Sequence, residues 1–270
     1  MSRMIYGIFR EQALSPGKVA EDAAILESVL QRLEARSWET RRLPAEVLPE
    51  EPPEARGVLH MAQGPAAVAR LAAWEKKGLR LINSPQALQR CSRKNLYAWL
   101  GGRDFPFPRT RYFSLAEAEV DWSGEFPGPG WLKRADIHAE GPGDVVRVSD
   151  PAQAQKVLAD FARRHIQGFI WQEHITGEEL KFYAVGLGAF FKAFLAGSGT
   201  EVTGALAAAL KDLVVPLASV SRLEVFGGDA IVTPEGKPVL IDLNDWPSFS
   251  SCREAAAQEI AHYVKEKFRF

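Results

Sequence analysis

The segment Leu223–Phe249 constrains the fold most, because its pattern predicts a β-hairpin. Two β-rich runs flank the turn Thr233–Gly236, where proline presets φ at the first central position and glycine suits the end. If that turn is tight, Asp229 lies roughly opposite Asp242 across the ladder. Because alternate strand residues share a face, Asp242 and Asn244 point to the same side. The hairpin thus gathers three oxygen-bearing side chains at one end.

These three side chains have two interpretations. Carboxylate and amide oxygens suit a hard cation such as Mg²⁺, which keeps several waters and usually meets substrate phosphates. Alternatively, Asp242 and Asn244 only cap the end of a strand. Taken alone, the hairpin does not decide between a metal site and a strand cap.

Composition excludes several classes of protein. A chain of 270 residues with 46% hydrophobic content can bury a substantial core, and a net charge of −1 provides no basic field for nucleic acid. The two cysteines lack metal or CxxC spacing, which favours reduced thiols. No apolar run approaches about 18 residues, and the N-terminus lacks a signal-peptide core. We expect a cytoplasmic protein, monomer or homodimer, without membrane or nucleic-acid partners.

The N-terminal part alternates strand and helix patterns, which predicts a small parallel α/β sheet. The predicted elements are Met4–Phe9, Val19–Leu33, Thr40–Leu43, Gly57–Met61, Ala66–Lys77 and Leu79–Ile82. Ligands of such sheets bind beyond the carboxyl ends of the strands, where two polar loops fall. Four loop residues are therefore candidates for substrate contact, although ordinary loop polarity explains each equally well. They are Arg10, Ser15, Lys18 and Gln63.

A helical segment follows, and the pattern then changes to short strands. Ser84 and Pro85 predict the N-cap and first position of a helical region that continues past Lys94 to Leu100. The later strands are predicted at Arg109–Phe113, Gly130–Ala135, Asp144–Val148, Phe169–Glu173, Leu180–Val185 and Ala189–Leu195. The later helices are predicted at Pro151–His165, at Ala205–Val220 with a bend or break at Pro216, and at Arg253–Phe268.

Several polar residues in this part have both a functional and an ordinary explanation. Lys133 lies in a predicted strand, where lysine needs a partner, and a nucleotide phosphate is one candidate. The loop after it contains glycines that suit phosphate, but most such loops are only turns. Lys181 is either a third phosphate cation or an exposed strand lysine. The strand exit Gln172–Ile175 either offers its backbone to an adenine edge or is a polar linker.

The order of these signals is more specific than any one of them. A helix-borne lysine after NSPxA (Lys94) precedes the strand lysine Lys133, and the run QExIxGEExK (Gln172–Lys181) follows. The segments GD and IDLNxxP, which contain Asp229 and Asp242, come last. This series resembles the ATP-grasp superfamily over nearly the whole chain. It is similar both to the glutamate ligases that modify ribosomal proteins and to inositol trisphosphate 5/6-kinases.

The resemblance implies an α/β fold in which central and C-terminal lobes sandwich ATP behind an N-terminal parallel α/β lobe. The implied lobes are residues 1–83, a helical linker at 84–108 that contributes Lys94, residues 109–174 and residues 175–270. ATP and Mg²⁺, with Mn²⁺ as an alternative metal, are the implied cofactors. The acceptor would be a small molecule or a peptide.

The resemblance also assigns roles by position. Lys94, Lys133 and Lys181 match the basic residues near the phosphates, and Lys133 and Lys181 would act in catalysis. The implied nucleotide contacts further include His138 in the glycine loop, Gln172, Glu173, Ile175, and Glu178 or Glu179 for the ribose. The implied metal ligands are Asp229, Asp242 and Asn244.

The chain departs from the common pattern of that family in several places. Arg93 replaces the usual aspartate before the first lysine, Asp242 replaces a glutamate, and Ser248 follows Pro247 where glycine is usual. The glycine loop is short and carries His138. We expect the chain to bind a nucleotide. The departures bear on which reaction it catalyses with the acceptor.

Three functions remain at this stage. The first is an ATP-dependent carboxylate–amine ligase that forms an acyl phosphate. The second is a small-molecule kinase, which predicts a strongly basic acceptor pocket, whereas the loops supply only Arg10, Lys18 and either Arg41 or Arg42. The third is a nucleotide-binding protein without catalysis, which the occupied metal and basic positions disfavour.

Overall fold

The computed structural model describes residues 3–14, 19–100, 104–115, 128–135, 141 and 143–269. Within these ranges, three β-sheets follow one another along the chain, each with its own covering helices. We call them the N-terminal, central and C-terminal lobes. The α/β fold class expected from the sequence is confirmed.

The N-terminal lobe is built on a four-stranded parallel sheet in the order β2-β1-β3-β4. Its strands are β1 (Met4–Phe9), β2 (Glu39–Pro44), β3 (Gly57–His60) and β4 (Leu81–Ile82). Its helices are α1 (Val19–Glu34) and α2 (Pro65–Lys76). The predicted parallel sheet is therefore present.

The linker contains two helices where the sequence predicts one. Helix α3 (Pro85–Cys91) begins as expected, because the hydroxyl of Ser84 accepts a hydrogen bond from the amide of Ala87 at 3.1 Å. It ends at Ser92, whose ψ of 142° is not helical. A second helix, α4 (Arg93–Leu100), starts at the next residue. This break sets the direction in which the first residues of α4 point.

In its described residues, the central lobe has an antiparallel sheet in the order β5-β8-β6-β7 and a helix that covers it. Its strands are β5 (Thr110–Ser114), β6 (Gly130–Arg134), β7 (Val145–Val148) and β8 (Gly168–Glu173). Helix α5 (Pro151–Arg163) is capped by Asp150 and buries Leu158 and Phe161 against the sheet. Its buried cluster consists of residues of this lobe alone.

The C-terminal lobe has a five-stranded antiparallel sheet in the order β11-β10-β9-β12-β13. Its strands are β9 (Glu178–Val185), β10 (Phe190–Leu195), β11 (Glu201–Val202), β12 (Val225–Val232) and β13 (Pro238–Asp245). Its helices are α6 (Gly204–Ser221) and α7 (Arg253–Lys267). Strand β11 was not predicted, because two residues are too few to show an alternating pattern.

Helix α6 runs through Pro216 without the break that the sequence suggested. Proline removes the hydrogen bond to the carbonyl of Asp212, four residues earlier. Both residues are exposed, so water can satisfy that carbonyl. By length and composition α6 could also cross a membrane, but that is weak evidence, and its buried residues Leu210 and Val214 belong to the core of this lobe.

The predicted hairpin is β12 and β13, and its turn forms as expected. The amide of Gly236 donates to the carbonyl of Thr233 at 2.8 Å, and Gly236 has a φ of +77°. Asp229 pairs with Asp242, but Ala230 pairs with Leu240, so Ile241 is an extra residue on β13. This β-bulge was not predicted, and it changes which face the residues beyond it occupy.

Asn83 joins the N-terminal lobe to the C-terminal lobe. Its fully buried amide donates to the carbonyl of Val225 at 2.7 Å and accepts from the amides of Glu224 and Val225. Nearby, the indole of Trp246 donates to the carbonyl of Ile82 at 2.9 Å. One apolar cluster continues across this junction from α1 and β1 to α7. The two lobes therefore share a core.

Candidate functional site

A cleft of about 380 Å³ lies between the central and C-terminal lobes. Strands β6, β7 and β8 supply one wall, and β9, β12 and β13 supply the other. The described residues that line it are Arg93, Trp131, Lys133, Val145, Gln172, Glu173, His174, Ile175, Gly177, Glu179, Asp229, Ile231, Ile241 and Asp242. The set contains both a group of apolar side chains and a group of charged ones.

The charged part is a row across three neighbouring strands. Lys181 pairs in register with Asp229, and Asp229 pairs with Asp242, which confirms the predicted position of the two carboxylates. The ammonium of Lys181 lies 3.0 Å from Asp229, and the guanidinium of Arg93 lies 3.1 Å from Asp242. Two carboxylates thus lie side by side with a cation at each end. Because like charges directly opposite each other repel, this pair favours a further positive charge.

Burial shapes the ionisation of this row. Burial raises the pKa of Asp229 above its ordinary value; Lys181 opposes that rise and Asp242 adds to it. Burial alone would lower the pKa of Lys181, but its ion pair with Asp229, with Glu179 nearby, outweighs burial and raises it. Lys181 is therefore a charged ammonium group that is paired with a carboxylate whose ionisation is opposed by burial.

Lys133 reaches the same region from the central lobe. It is 6% exposed, and its ammonium donates to the side-chain carbonyl of Gln172 at 2.7 Å. Burial lowers the pKa of Lys133, and Asp242 partly offsets that effect. The partner that a strand lysine requires is therefore Gln172, and Lys133 and Gln172 both line the cleft.

The other part of the cleft is apolar. Trp131 and Val145 line it from the central lobe, and Ile175, Ile231 and Ile241 line it from the linker and the C-terminal lobe. The indole of Trp131 donates to His174 at 3.2 Å, which holds the ring at the cleft wall. His174 therefore has an ordinary role as a hydrogen-bond acceptor.

The strand exit Gln172–Ile175 borders the cleft. The amide of Glu173 donates to the carbonyl of Arg109, and the Glu173 carboxylate is paired with the Arg109 guanidinium at 3.1 Å. Ile175 lines the cleft. Of the two candidate ribose residues, Glu179 lines the cleft, whereas Glu178 is exposed and is absent from its lining.

Besides Glu178, three expected residues are absent from the cleft lining: Lys94, Asn244 and Lys181. Lys181 is connected to the lining through its ion pair with Asp229. Lys94 is exposed, with its ammonium 4.7 Å from the centre of the Tyr112 ring. Adjacent helical residues point in directions about 100° apart, so α4 presents Arg93 to the cleft instead. Asn244 lies two residues beyond Asp242, pairs with Gly227 and does not line the cleft. Phosphate contact by Lys94 and metal binding by Asn244 remain predictions.

The loop residues of the N-terminal lobe that were predicted to contact substrate lie in different environments. Arg10 is paired with Asp22 at 2.8 Å and also donates to the carbonyls of Met61 and Trp246, so its guanidinium joins elements of the fold. Gln63 lines a second pocket, described below. Ser15, Lys18 and His138 lie outside the described residues.

The carboxylates suit magnesium in their chemistry. Within the described ranges there is no cluster of three or more His, Cys, Asp or Glu side chains that could hold a metal ion. The protein would therefore supply Asp229 and Asp242, with Asn244 nearby, and the remaining positions would go to phosphate oxygens and water. Two adjacent carboxylates on neighbouring strands fit such a partly open metal site.

Sequence reasoning missed the functional position of Arg93 and most of the apolar lining. It noted Arg93 only as a departure from a pattern, because the break at Ser92 that turns it inward has no clear sequence signal. Ile231 could have been found, since it lies two residues from Asp229 on the same strand face. Ile241 could not, because the bulge brings it to that face.

Several solved structures have a fold similar to that of this chain. No family model matches the sequence, and no curated protein matches it. The D-alanine–D-alanine ligase of Coxiella burnetii is similar over 98% of this chain and 97% of its own, with a TM-score of 0.73 and 13% identity.

Two further solved structures match this chain over a similar share of its length. The ATP-grasp ligase PsnB, complexed with a precursor peptide and AMPPNP, covers 99% of this chain and 98% of its own, with a TM-score of 0.67 and 16% identity. A RimK domain ATP-grasp protein of Sphaerobacter thermophilus covers 96% of this chain and 99% of its own, with a TM-score of 0.70 and 19% identity. The chain therefore has the ATP-grasp fold over at least 96% of its length.

Proposed function

We propose that the protein is an ATP- and Mg²⁺-dependent carboxylate–amine ligase that forms an acyl-phosphate intermediate. The observation that carries the proposal is the division of the cleft. Its apolar part, with Trp131 and Ile231, suits a flat base, and its charged part, with Lys133 and the Asp229–Asp242 pair, suits phosphates and their cation. A nucleoside triphosphate combines these two features in one molecule.

Similar structures support ligation over other uses of a nucleotide. By their names, PsnB and the Coxiella burnetii protein are ligases, and the PsnB structure is complexed with a precursor peptide and AMPPNP. At 13–16% identity they share the fold, and they bring the reaction to this chain only as part of the proposal.

The proposed reaction has two steps. A carboxylate oxygen of the acceptor attacks the γ-phosphorus of ATP, forming the new O–P bond while the bond to the β-phosphate oxygen breaks and ADP leaves. An amine then attacks the acyl carbon, phosphate leaves with the C–O bonding electrons, and the amine loses a proton. Bound Mg²⁺ would neutralise charge on the phosphate oxygens.

The protein's own residues supply position and charge. Lys133 is a compact cation already held in place by Gln172, so it can meet a phosphate oxygen without first being ordered. Lys181 lies at the opposite end of the row, where its raised pKa keeps it protonated. Together they would stabilise the negative charge of the transferred group.

The kinase alternative is weakened by the acceptor side of the molecule. A polyphosphate acceptor needs several lysine or arginine residues. Arg42, one of the candidates, is paired with Glu27 and Glu34 of α1. Among the described residues that line the second pocket, Arg93 alone is charged.

The test is turnover of ATP with mixtures of carboxylic acids and amines. Ligation predicts ADP and free phosphate in equal amounts, formed only when both an acid and an amine are present, together with an amide product by mass spectrometry. Stable transfer of phosphate to a hydroxyl compound would replace the ligase by the kinase. Binding of AMPPNP without turnover on any acid would leave a nucleotide-binding protein without catalysis.

Asp242→Asn tests the metal assignment in the same assay. We expect turnover to fall at least ~100-fold and the Mg²⁺ concentration for half-maximal rate to rise, because one of the two carboxylates is lost. Asp212→Asn, an exposed carboxylate on α6, is the matched control and should keep wild-type turnover. Normal activity of Asp242→Asn would remove Asp242 from the metal site.

A further inference from the structure

A second pocket of about 290 Å³ lies between the N-terminal lobe and the linker helices. Gln63, which follows β3, lines it near the start of α2, where the carboxyl ends of the parallel strands meet. The pocket adjoins the nucleotide cleft, because Arg93 lines both. Its occupant would therefore lie beside the charged part of the cleft.

Among the described residues, the body of the second pocket combines apolar side chains with uncharged polar ones. Pro65, Val68 and Ala69 line it from α2, and Leu88 lines it from α3. The other described lining residues, apart from Arg93, carry amide, hydroxyl or methyl groups and no charge. A ligand with a second charged group would lose hydration there without gaining an ion-pair partner.

Arg93 has hydrogen-bonding capacity left for a ligand. One terminal nitrogen donates to Asp242 at 3.1 Å and the other donates to the carbonyl of Arg134 at 3.1 Å. The side chain is 10% exposed, and its buried Nε has no hydrogen-bond partner among the described residues. A guanidinium has five N–H donors, so an anion can bind here while the pair with Asp242 stays intact.

We propose, on the basis of the ligase function above, that this second pocket holds the acid that the enzyme activates. The carboxylate lies at Arg93, facing the charged part of the cleft, and a small uncharged body packs against Val68, Ala69 and Leu88. The volume suits a single amino-acid-sized residue rather than a long chain. The substrate class is therefore a compact monocarboxylic acid with an apolar side chain.

The experiment measures binding, so it does not depend on turnover. N-acetylated glycine, alanine, valine, leucine, aspartate and lysine are titrated by calorimetry into wild-type protein that contains Mg²⁺ and AMPPNP. We expect the alanine, valine or leucine derivative to bind at least ~10-fold more tightly than the aspartate and lysine derivatives. Absence of binding by every member, or tightest binding of the aspartate or lysine derivative, would overturn the proposal.

Two matched pairs of variants locate the site. Ala69→Trp places an indole at the pocket mouth, whereas Ala73→Trp places one a turn further along the exposed side of α2, outside the pocket. We expect acid affinity to fall at least ~10-fold only in Ala69→Trp, while AMPPNP affinity stays at the wild-type value in both. Equal acid affinity in both variants contradicts the proposal.

Arg93→Met and Arg90→Met form the second pair. Arg90 lies near the end of α3, and its guanidinium donates to the carbonyl of Val220, away from both pockets. Acid affinity should fall at least ~10-fold in Arg93→Met and stay unchanged in Arg90→Met. An unchanged acid affinity in Arg93→Met removes Arg93 from the proposed site.

Failure of the proposed function gives a different result. An acid that binds in a manner sensitive to Ala69→Trp, but yields neither ADP nor a hydroxamate with hydroxylamine, sinks the ligase reaction and leaves the pocket assignment standing. Conversely, hydroxamate formation with the same KM in wild type and Ala69→Trp keeps the ligase and removes this pocket.

Discussion

Two adjacent carboxylates between two cations define this site at the scale of single residues. Asp229 and Asp242 face each other across the ladder, and Lys181 and Arg93 close the row. Without a ligand, Asp229 is paired with Lys181 and Asp242 is paired with Arg93. A metal ion that binds here would add positive charge between two carboxylates whose ion pairs already hold them in place.

The Arg93–Asp242 pair should contribute to stability as a coupled unit. Both side chains are about 10% exposed, so removing one partner leaves a poorly hydrated charge. A double-mutant cycle of Arg93→Met and Asp242→Asn, measured by urea unfolding without nucleotide, should give a coupling energy of about 1–3 kcal/mol. The control cycle on Lys192 and Glu201, an ion pair on the exposed face of β10, should give less than about 1 kcal/mol. Equal coupling in the two cycles would contradict this expectation.

Lys133 should matter for nucleotide binding and little for folding. Burial already penalises its charge, and methionine has a similar shape without that charge. Lys133→Met should weaken AMPPNP binding about 10–100-fold, or about 1.4–2.8 kcal/mol, while the melting temperature of the free protein does not fall. Lys192→Met is the matched control and should bind AMPPNP normally. A large loss of stability in Lys133→Met would make this lysine a structural residue.

At the scale of elements, the hairpin depends on close packing of β12 against its neighbours. A Cβ atom on Gly228 would clash with the backbone carbonyl of Asp242 and would lie 2.7 Å from the ring of Phe182. Glycine at this position therefore lets β13 and its carboxylate approach.

Gly228→Ala should destabilise the protein by about 1–3 kcal/mol in urea unfolding, because the backbone of β13 must move. It should also weaken nucleotide binding, since Asp242 moves with the strand. Gly197→Ala is the control, because no atom lies within 4 Å of its added Cβ. Similar stability of the two variants would show that β13 tolerates the displacement.

The sequence predicts most helices and strands because their periodicity follows directly from one buried face. Helix α1 repeats apolar residues at helical spacing, and β12 and β13 flank a turn with proline and glycine in suitable positions. The parallel N-terminal sheet follows from alternation alone. Such local patterns can be recognised without knowing which elements pack against them.

Other features depend on tertiary contacts and could not be predicted. The bulge at Ile241 depends on how β13 aligns with β12, and that register is decided by packing on both faces. The break at Ser92 depends on where α4 meets the central lobe, and it decides that Arg93, rather than Lys94, lines the cleft. The order of the motifs indicated the correct region of the chain. Only the structure showed which cationic residue of α4 lines the cleft.

At the scale of the whole molecule, a buried histidine connects stability to pH. His60 is fully buried, with Nε2 at 2.7 Å from the carbonyl of Asn83, the residue that joins two lobes. Burial lowers the pKa of His60 to about 4 from the ordinary 6.5. The folded state therefore resists protonation that the unfolded chain accepts.

This shift predicts lower stability in mild acid. Between pH 6.5 and pH 4 the unfolded state binds more protons than the folded state, so the free energy of unfolding falls as the pH falls. From pH 7 to pH 5 the loss from His60 should be about 2 kcal/mol in urea unfolding. His60→Gln should lack this part of the pH dependence, whereas His262→Gln, on the exposed side of α7, should keep it. The same pH dependence in both variants would assign the effect to other groups.

The shared core of the N-terminal and C-terminal lobes has a consequence for how ligands enter and leave. Separating these lobes would expose the apolar cluster that contains Leu30, Trp246 and Val264 and would break the hydrogen bonds of Asn83. The central lobe has a core of its own and joins the rest of the chain through the segments before β5 and after β8. The cleft can therefore open by a hinge movement of the central lobe. The N-terminal and C-terminal lobes would stay together as one rigid unit during that movement.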